Sequence, residues 1–185
     1  MPRVLIPLAE GCEELEAVTV ADLLRRAGIS VCTASLTDRH QITASRGVRL
    51  IADTTLDEVI YDDFDMLILP GGQPGTSNLD QDPRIHAIVK RLHHGGKYIA
   101  AICAAPLVLA NSGLLNGRRA TCYPNTLLPE QWPEIKLSDS PVVVDNEIIT
   151  SRGPGTAMDF ALTLIECLTD LTTRNKVEAG LVRPN

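Results

Sequence analysis

Short apolar-rich runs alternate along this chain with longer stretches in which apolar residues recur every three or four positions. Val4–Leu8, Ile29–Ala34, Met66–Leu69 and Ile99–Ile102 are of the first kind, the pattern of strands buried on both faces. Glu13–Arg26 is of the second kind: Leu15, Val18, Leu23 and Leu24 mark an apolar stripe, and Gly28 suits the helix C-cap. Arg84–His94, closed by Gly95-Gly96, and Ala157–Leu168 read as further helices. Asp145-Asn146 is placed to turn a hairpin between Val142–Val144 and Ile148–Thr150. A strand, a helix and a second strand within the first 34 residues require a parallel pair. The alternation predicts a doubly wound α/β sandwich, with helices on both faces of a mostly parallel sheet. Ligands in such folds bind beyond the carboxyl ends of the strands. Three segments leave those ends: Glu10–Glu14, Gly71–Gly75 and the bend at Cys103.

That bend holds the most informative residue. The run Tyr98-Ile99-Ala100-Ala101-Ile102 stops at Cys103, and helix-forming sequence begins directly after it. Alanines stand two positions away on each side, at Ala101 and Ala105, as a sharp strand-to-helix turn requires of its crowded neighbours. A cysteine there points its sulfur out at the sheet rim, near the unpaired N–H groups of a helix start. Those groups favour a thiolate, so Cys103 is expected to have the lowest pKa of the cysteines. The plain alternative is a small buried hydrophobe between two elements.

Composition narrows the setting. With 185 residues, the chain is expected to form a single domain over 1–185 with a full core. A net charge of −6, without a basic cluster beyond pairs such as Arg25-Arg26, argues against electrostatic capture of nucleic acid. No apolar run approaches the ~20 residues that cross a bilayer, and the first eight residues lack a secretory pattern. Five cysteines, at wide spacings and odd in number, show neither a Cys-x-x-Cys nor a zinc-like Cys/His pair. No metal is therefore expected, and reduced thiols point to the cytoplasm.

The remaining candidates divide by position. Pro70-Gly71-Gly72-Gln73-Pro74-Gly75 is neither a Walker loop nor a dinucleotide fingerprint. By itself it reads as a tight turn, and beside a nucleophile its N–H groups suit an oxyanion hole. Glu13, Glu14 and Glu16 crowd a helix start, where acidic residues complement the dipole. One of the three is placed to lean toward Cys103, with its pKa raised by burial and like charge. All four histidines, at 40, 86, 93 and 94, precede Cys103, so none supplies the downstream base of a papain-like or glutaminase pair.

Taken together, several segments resemble the ThiJ/PfpI superfamily, in the branch of the Parkinson-associated protein DJ-one and its bacterial YajL-like relatives. They are Gly11-Cys12-Glu13-Glu14-Leu15-Glu16-Ala17-Val18, Arg25-Arg26-Ala27-Gly28-Ile29, Ser45-Arg46, Leu69-Pro70-Gly71-Gly72, Ala100-Ala101-Ile102-Cys103-Ala104-Ala105-Pro106 and Thr150-Ser151-Arg152-Gly153-Pro154-Gly155-Thr156. The resemblance spans about residues 3–182 in order. It implies a flavodoxin-like fold, a homodimer and no cofactor. It implies Cys103 as an oxidation-sensitive nucleophile and Glu16, rather than its two neighbours, as the protonated carboxyl beside it. Gly72 and Ala104 match the family's oxyanion N–H groups, and Arg26 and Arg46 match arginines near the dimer interface and pocket. Tyr123 and Pro154 fall at further pocket or interface positions. The implied substrates are methylglyoxal, glyoxal or their early adducts on proteins and nucleotides; the implied alternative is a redox sensor or redox-regulated chaperone working through Cys103 oxidation. Two departures matter. Ala104 stands where the protease branch has a histidine, which argues against proteolysis, and Tyr123 stands where the DJ-one branch has a histidine.

Overall fold

The computed structural model describes residues 1–183. In chain order the elements are β1 (Arg3–Leu8), α1 (Glu14–Arg26), β2 (Ser30–Ser35), β3 (Gln41–Thr43), β4 (Arg49–Ile51), β5 (Thr54–Thr55), α2 (Leu56–Val59), β6 (Met66–Leu69), α3 (Gly75–Gln81), α4 (Pro83–His94), β7 (Tyr98–Ile102), α5 (Pro106–Asn111), β8 (Arg119–Ala120), β9 (Lys136–Leu137), β10 (Val142–Asp145), β11 (Ile148–Ser151), α6 (Ala157–Leu168) and α7 (Leu171–Ala179). Seven strands form one sheet in the order β10-β11-β7-β6-β1-β2-β5. Every neighbouring pair is parallel except β10–β11, the hairpin at one edge. This is the flavodoxin-like α/β sandwich. The hairpin is shifted slightly from its expected place: Asp145 pairs with Ile148, so Asn146 and Glu147 make the loop, with Asn146 at φ 55.

Alternation along the strands sorts the core into two layers. Leu5, Leu67, Leu69, Ile99 and Ala101 face one side and pack on Ile85, Ile88 and Val89 of α4 and Val108 and Leu109 of α5. Val4, Ile6, Met66, Ile68, Ala100 and Ile102 face the other and pack on α1 and α6, through residues such as Val20, Leu24, Phe160 and Ile165. Each fully buried aliphatic side chain contributes about 1.5–3 kcal/mol relative to exposure.

One expected stripe is corrected. Leu15 and Val18 are half exposed, and the inner face of α1 is Glu16, Ala17, Val20, Leu23 and Leu24. The helix sits close on the sheet and α6, so small residues and one carboxyl face inward while two larger apolar ones face out. Among the described residues no helix is long and apolar enough to cross a membrane.

Chain order reverses direction between β1 and β6, since β2 lies outward of β1 on one side and β7 outward of β6 on the other. A crevice opens at such a switch point, beyond the carboxyl ends of the strands. The segments that leave β1, β6 and β7 meet there.

Candidate functional site

Cys103 directly follows β7 with φ 65, a left-handed conformation that is sparsely populated for residues other than glycine. Its neighbours hold it there. Its N–H donates to the Ser151 carbonyl at 3.0 Å, and its carbonyl accepts from the Tyr123 N–H at 2.8 Å. Backbone strain of this kind costs about 1–3 kcal/mol and persists where surrounding bonds determine it. The sharp bend read from the flanking alanines is therefore present, although α5 begins only at Pro106.

Glu16 enters from the opposite wall. It lies in the first turn of α1 and is fully buried. One carboxyl oxygen, Oε2, accepts the Gly71 N–H at 2.8 Å. The other, Oε1, has no conventional partner, and the carboxyl interacts with the Cys103 thiol. Burial raises the Glu16 pKa from 4.5 to about 7, against the bond from Gly71. Gly71 fits between the two groups because it lacks a side chain. A Cβ there would lie 2.6 Å from Cys103 Cβ and 2.9 Å from Glu16 Oε2. Gly72, at φ 88, aims its N–H at the Cys103 sulfur, and the Ala104 N–H does the same.

The expectation of an exposed, acidic thiolate is overturned. Cys103 is 7% exposed. Burial, then the nearby Glu16 carboxylate, push its thiol up to about 12, and the Gly72 and Ala104 N–H groups oppose this without prevailing. The helix-start argument omitted desolvation and the buried neighbour, both products of tertiary packing. Cys103 and Glu16 instead form a pair in which a proton carried by one raises the other's readiness to ionise. A protonated Glu16 reverses its effect, donating to sulfur rather than repelling it. Cys12 does not compete for this role. It is buried beneath the Gly71–Gly75 segment and its thiol is also pushed up to about 12, by burial first.

The pair has a measurable consequence for stability. A carboxyl whose folded pKa is raised favours folding while protonated, and that advantage fades as pH climbs from 4.5 toward 7. Glu16→Gln keeps the acceptor for Gly71 and lacks the titration. The variant should gain on wild type across that window, by roughly 3 kcal/mol at its upper end, using about 1.4 kcal/mol per pKa unit. Urea midpoints at pH 4.5 and 7.5 measure this; an equal offset at both would show that Glu16 does not titrate in the window.

Around the pair lies a cleft of about 430 Å³, lined by Cys103, Gly72 and Ala104, with Glu13, Ser45, Arg46 and Gln73 as a polar wall and Tyr123 and Pro154 opposite. Among the described residues, no group of three or more histidines, cysteines and carboxylates is placed to hold a metal. The arrangement suits nucleophilic attack by sulfur on an electrophilic carbon, with two N–H groups for a developing oxyanion and a near-neutral carboxyl for proton transfer.

The sequence profile of the DJ-1/PfpI family matches residues 2–167. The chain belongs to that family. It is 36% identical to the glutathione-independent glyoxalase DJR-1.2 of Caenorhabditis elegans, covering 89% of this chain and 87% of the relative. It is 40% identical to Protein DJ-1 homolog B of Arabidopsis thaliana over 99% of its own length, and spans only 42% of that longer protein. The crystal structure of Drosophila melanogaster DJ-1beta superposes with a TM-score of 0.94 at 39% identity, over 100% of this chain and 99% of the other.

Cys103, Glu16, Gly72, Ala104, Arg46, Tyr123 and Pro154 thus meet at one cleft. Arg26 does not. It ends α1, about 15 Å along the helix from Glu16, and pairs with Asp22 at 2.9 Å on the surface. Within one chain it has no part in the pocket. The other two acidic residues of the first turn separate by geometry. Glu13 lines the cleft, whereas Glu14 turns to the β3–β4 hairpin, where it accepts from Ser45 Oγ at 3.0 Å and from the Arg46 N–H at 2.9 Å. Glu14 therefore fixes the turn that presents Arg46. Sequence reading named Gly71, Glu14 and Ser151 within their segments but gave none of them its role; the Pro-Gly-Gly and Glu-Glu runs were the available signals, and neither ranked its members.

Proposed function

We propose that this protein is a cofactor-independent glyoxalase or deglycase acting on methylglyoxal, glyoxal or their early adducts on proteins and nucleotides. The observation that carries this reading is the buried Glu16 carboxyl paired with Cys103, under two N–H groups at the mouth of an open cleft. Similarity to a protein named a glutathione-independent glyoxalase supports it.

In the proposed mechanism with methylglyoxal, the Cys103 thiol gives its proton to Glu16 as sulfur attacks the aldehyde carbon. The carbonyl π bond becomes an oxyanion held by the Gly72 and Ala104 N–H groups. Glu16 returns the proton to that oxygen, giving a neutral hemithioacetal. The Glu16 carboxylate then removes the hydrogen of the former aldehyde carbon, leaving an enediolate, and delivers it to the neighbouring carbon while the hydroxyl proton passes from the first oxygen to the second, which gives a lactoyl thioester. Water cleaves the thioester and restores the thiol, so methylglyoxal plus water becomes lactate with no external oxidant or reductant. The thiol starts protonated, so the reaction needs Glu16 as carboxylate, and kcat/KM should rise through pH 7.

The test is lactate production from methylglyoxal by the reduced, metal-free protein beside a Cys103→Ser control. A second reading, redox sensing, is favoured by the same N–H pair and a protonated Glu16, which are placed to donate hydrogen bonds to the oxygens of an oxidised sulfur. Absence of turnover by wild type would leave that reading in front.

We further propose a homodimer in the cytoplasm. Leu15 and Val18 of α1 and Ile51 of β4 are exposed, the last at 78%, and form apolar surface on the α1 side of the molecule. Five free thiols suit a reducing compartment. Light scattering at micromolar concentration should return twice the 20.0 kDa chain mass; Ile51→Lys, which places charge on that surface, should shift it toward one.

A further inference from the structure

A second cleft, of about 260 Å³, lies beside the first. Tyr123 is the one described residue that lines both. The second cleft has an apolar base of Cys122, Leu127 and Leu137, and a polar rim that includes Ser138 and the Arg152–Asp139 ion pair at 2.6 Å.

Tyr123 is fixed by the local chain. Tyr123-Pro124-Asn125-Thr126 closes through the Thr126 N–H to the Tyr123 carbonyl at 3.0 Å, with Asn125 at φ 65. Proline second and a positive-φ asparagine third are the signature of a type II turn. The Tyr123 N–H is spent on the Cys103 carbonyl at 2.8 Å. Its ring lies against Gly153, where a Cβ would come 3.3 Å from Tyr123 Cδ2. The ring is nonetheless half exposed. It is a rigid aromatic divider between the reacting sulfur and a hollow with an apolar base and a polar rim.

Size gives the divider a purpose. A dicarbonyl of five heavy atoms fills the space of roughly three waters, about 90 Å³, far less than the 430 Å³ of the first cleft alone. Such a molecule leaves most of the cleft unfilled and makes no use of the second. We infer that the second cleft is a substituent subsite. It takes a flat aryl or branched alkyl group carried on the reacting carbonyl compound, past the Tyr123 ring, so that Tyr123 and the Leu127–Leu137 base determine specificity. The inference deepens the glyoxalase reading and rests on it for the physiological reaction, but the geometry applies to any electrophile that reaches Cys103.

The test separates the two. Ser138 stands on the rim, its backbone N–H bonded to the Ala120 carbonyl at 2.9 Å. Ser138→Trp places an indole in the hollow, and Ser138→Ala leaves it open. Kinetic constants for phenylglyoxal and methylglyoxal are measured with each, alongside the rates at which N-phenylmaleimide and N-methylmaleimide alkylate Cys103, relative to free cysteine. Wild type should favour the aryl member of each pair. In Ser138→Trp the aryl-to-methyl ratio should fall by about tenfold or more, the usual worth of a group excluded from an apolar pocket, while Ser138→Ala keeps the wild-type ratio. No aryl preference in wild type, or an unchanged ratio in Ser138→Trp with circular dichroism like wild type, would overturn the subsite. The maleimide arm decides this even where neither dicarbonyl is turned over, a result that would sink the glyoxalase reading alone.

Discussion

Cys103→Ser should lower kcat/KM for methylglyoxal by at least about a thousandfold, because an alcohol is a far weaker nucleophile than a thiol whose proton has an acceptor in place. Glu16 is the base within reach of sulfur: its pKa of about 7 lies below that of the thiol, pushed up to about 12, so the proton moves to it only as sulfur attacks and is given back afterwards. A serine hydroxyl ionises far higher, and the same carboxyl is too weak a base for it. The substitution is small and the site is buried, so folding should survive and be seen by circular dichroism. Lactate formation measured enzymatically gives the rate. Turnover that persists in the serine variant would show that the product arises from surface amines or buffer, and would remove Cys103 from the mechanism. Cys32, half-buried in β2 on the sheet face that packs on α4 and α5, is the control; Cys32→Ser should stay near the wild-type rate.

Gly71→Ala should be nearly as damaging to turnover, by about a hundredfold, since displacements of about 1 Å at the reacting groups have that effect. The added methyl would meet Cys103 Cβ at 2.6 Å, Glu16 Oε2 at 2.9 Å and the Ile102 carbonyl at 2.9 Å. Cys103 Cβ and the Ile102 carbonyl belong to fixed backbone and stem, and Glu16 Oε2, though at the end of its side chain, is buried and bonded to the Gly71 N–H. The carboxyl and the sulfur must separate, or β6 and β7 must shift at their ends. Stability should fall with it by about 1–3 kcal/mol, the usual cost of overpacking a core. Gly155→Ala is the matched comparison: no atom lies within 4 Å of a Cβ there, and it should leave both quantities unchanged. Equal effects at the two glycines would mean that the Gly71 fit does not hold the pair together.

Parts of this site were legible before any coordinates. The alanines beside Cys103 signalled a crowded bend, because crowding is a property of sequence neighbours, and the left-handed φ of Cys103 is its outcome. The Gly71–Gly75 segment announced a close approach of backbone without saying to what. Among Glu13, Glu14 and Glu16, composition and spacing left the choice open, and the family resemblance pointed to Glu16. The structure gives the physical ground: helical geometry directs Glu16 down to the sheet, Glu14 to the hairpin and Glu13 to the cleft.

What the sequence by itself determined is the long helices, most strands of the main sheet and their alternation; the short strands β3, β4, β5, β8 and β9 and the helices α2, α3 and α7 carry too few apolar positions to show a period. A strand's apolar run and a helix's caps are local, and strands buried on both faces leave the doubly wound sandwich as the arrangement that covers them. What only the tertiary structure decided is everything set by residues distant in the chain. The inner face of α1 is one case, since Leu15 and Val18 look as apolar as Leu23 and only packing on α6 distinguishes them. The separation of Arg26 from the cleft is another. The thiol is the sharpest. A cysteine near a helix start reads as acidic, yet desolvation and a buried carboxyl 87 positions earlier in the chain push it up to about 12. Desolvation depends on what surrounds a group in space, and a sequence lists only what precedes and follows it.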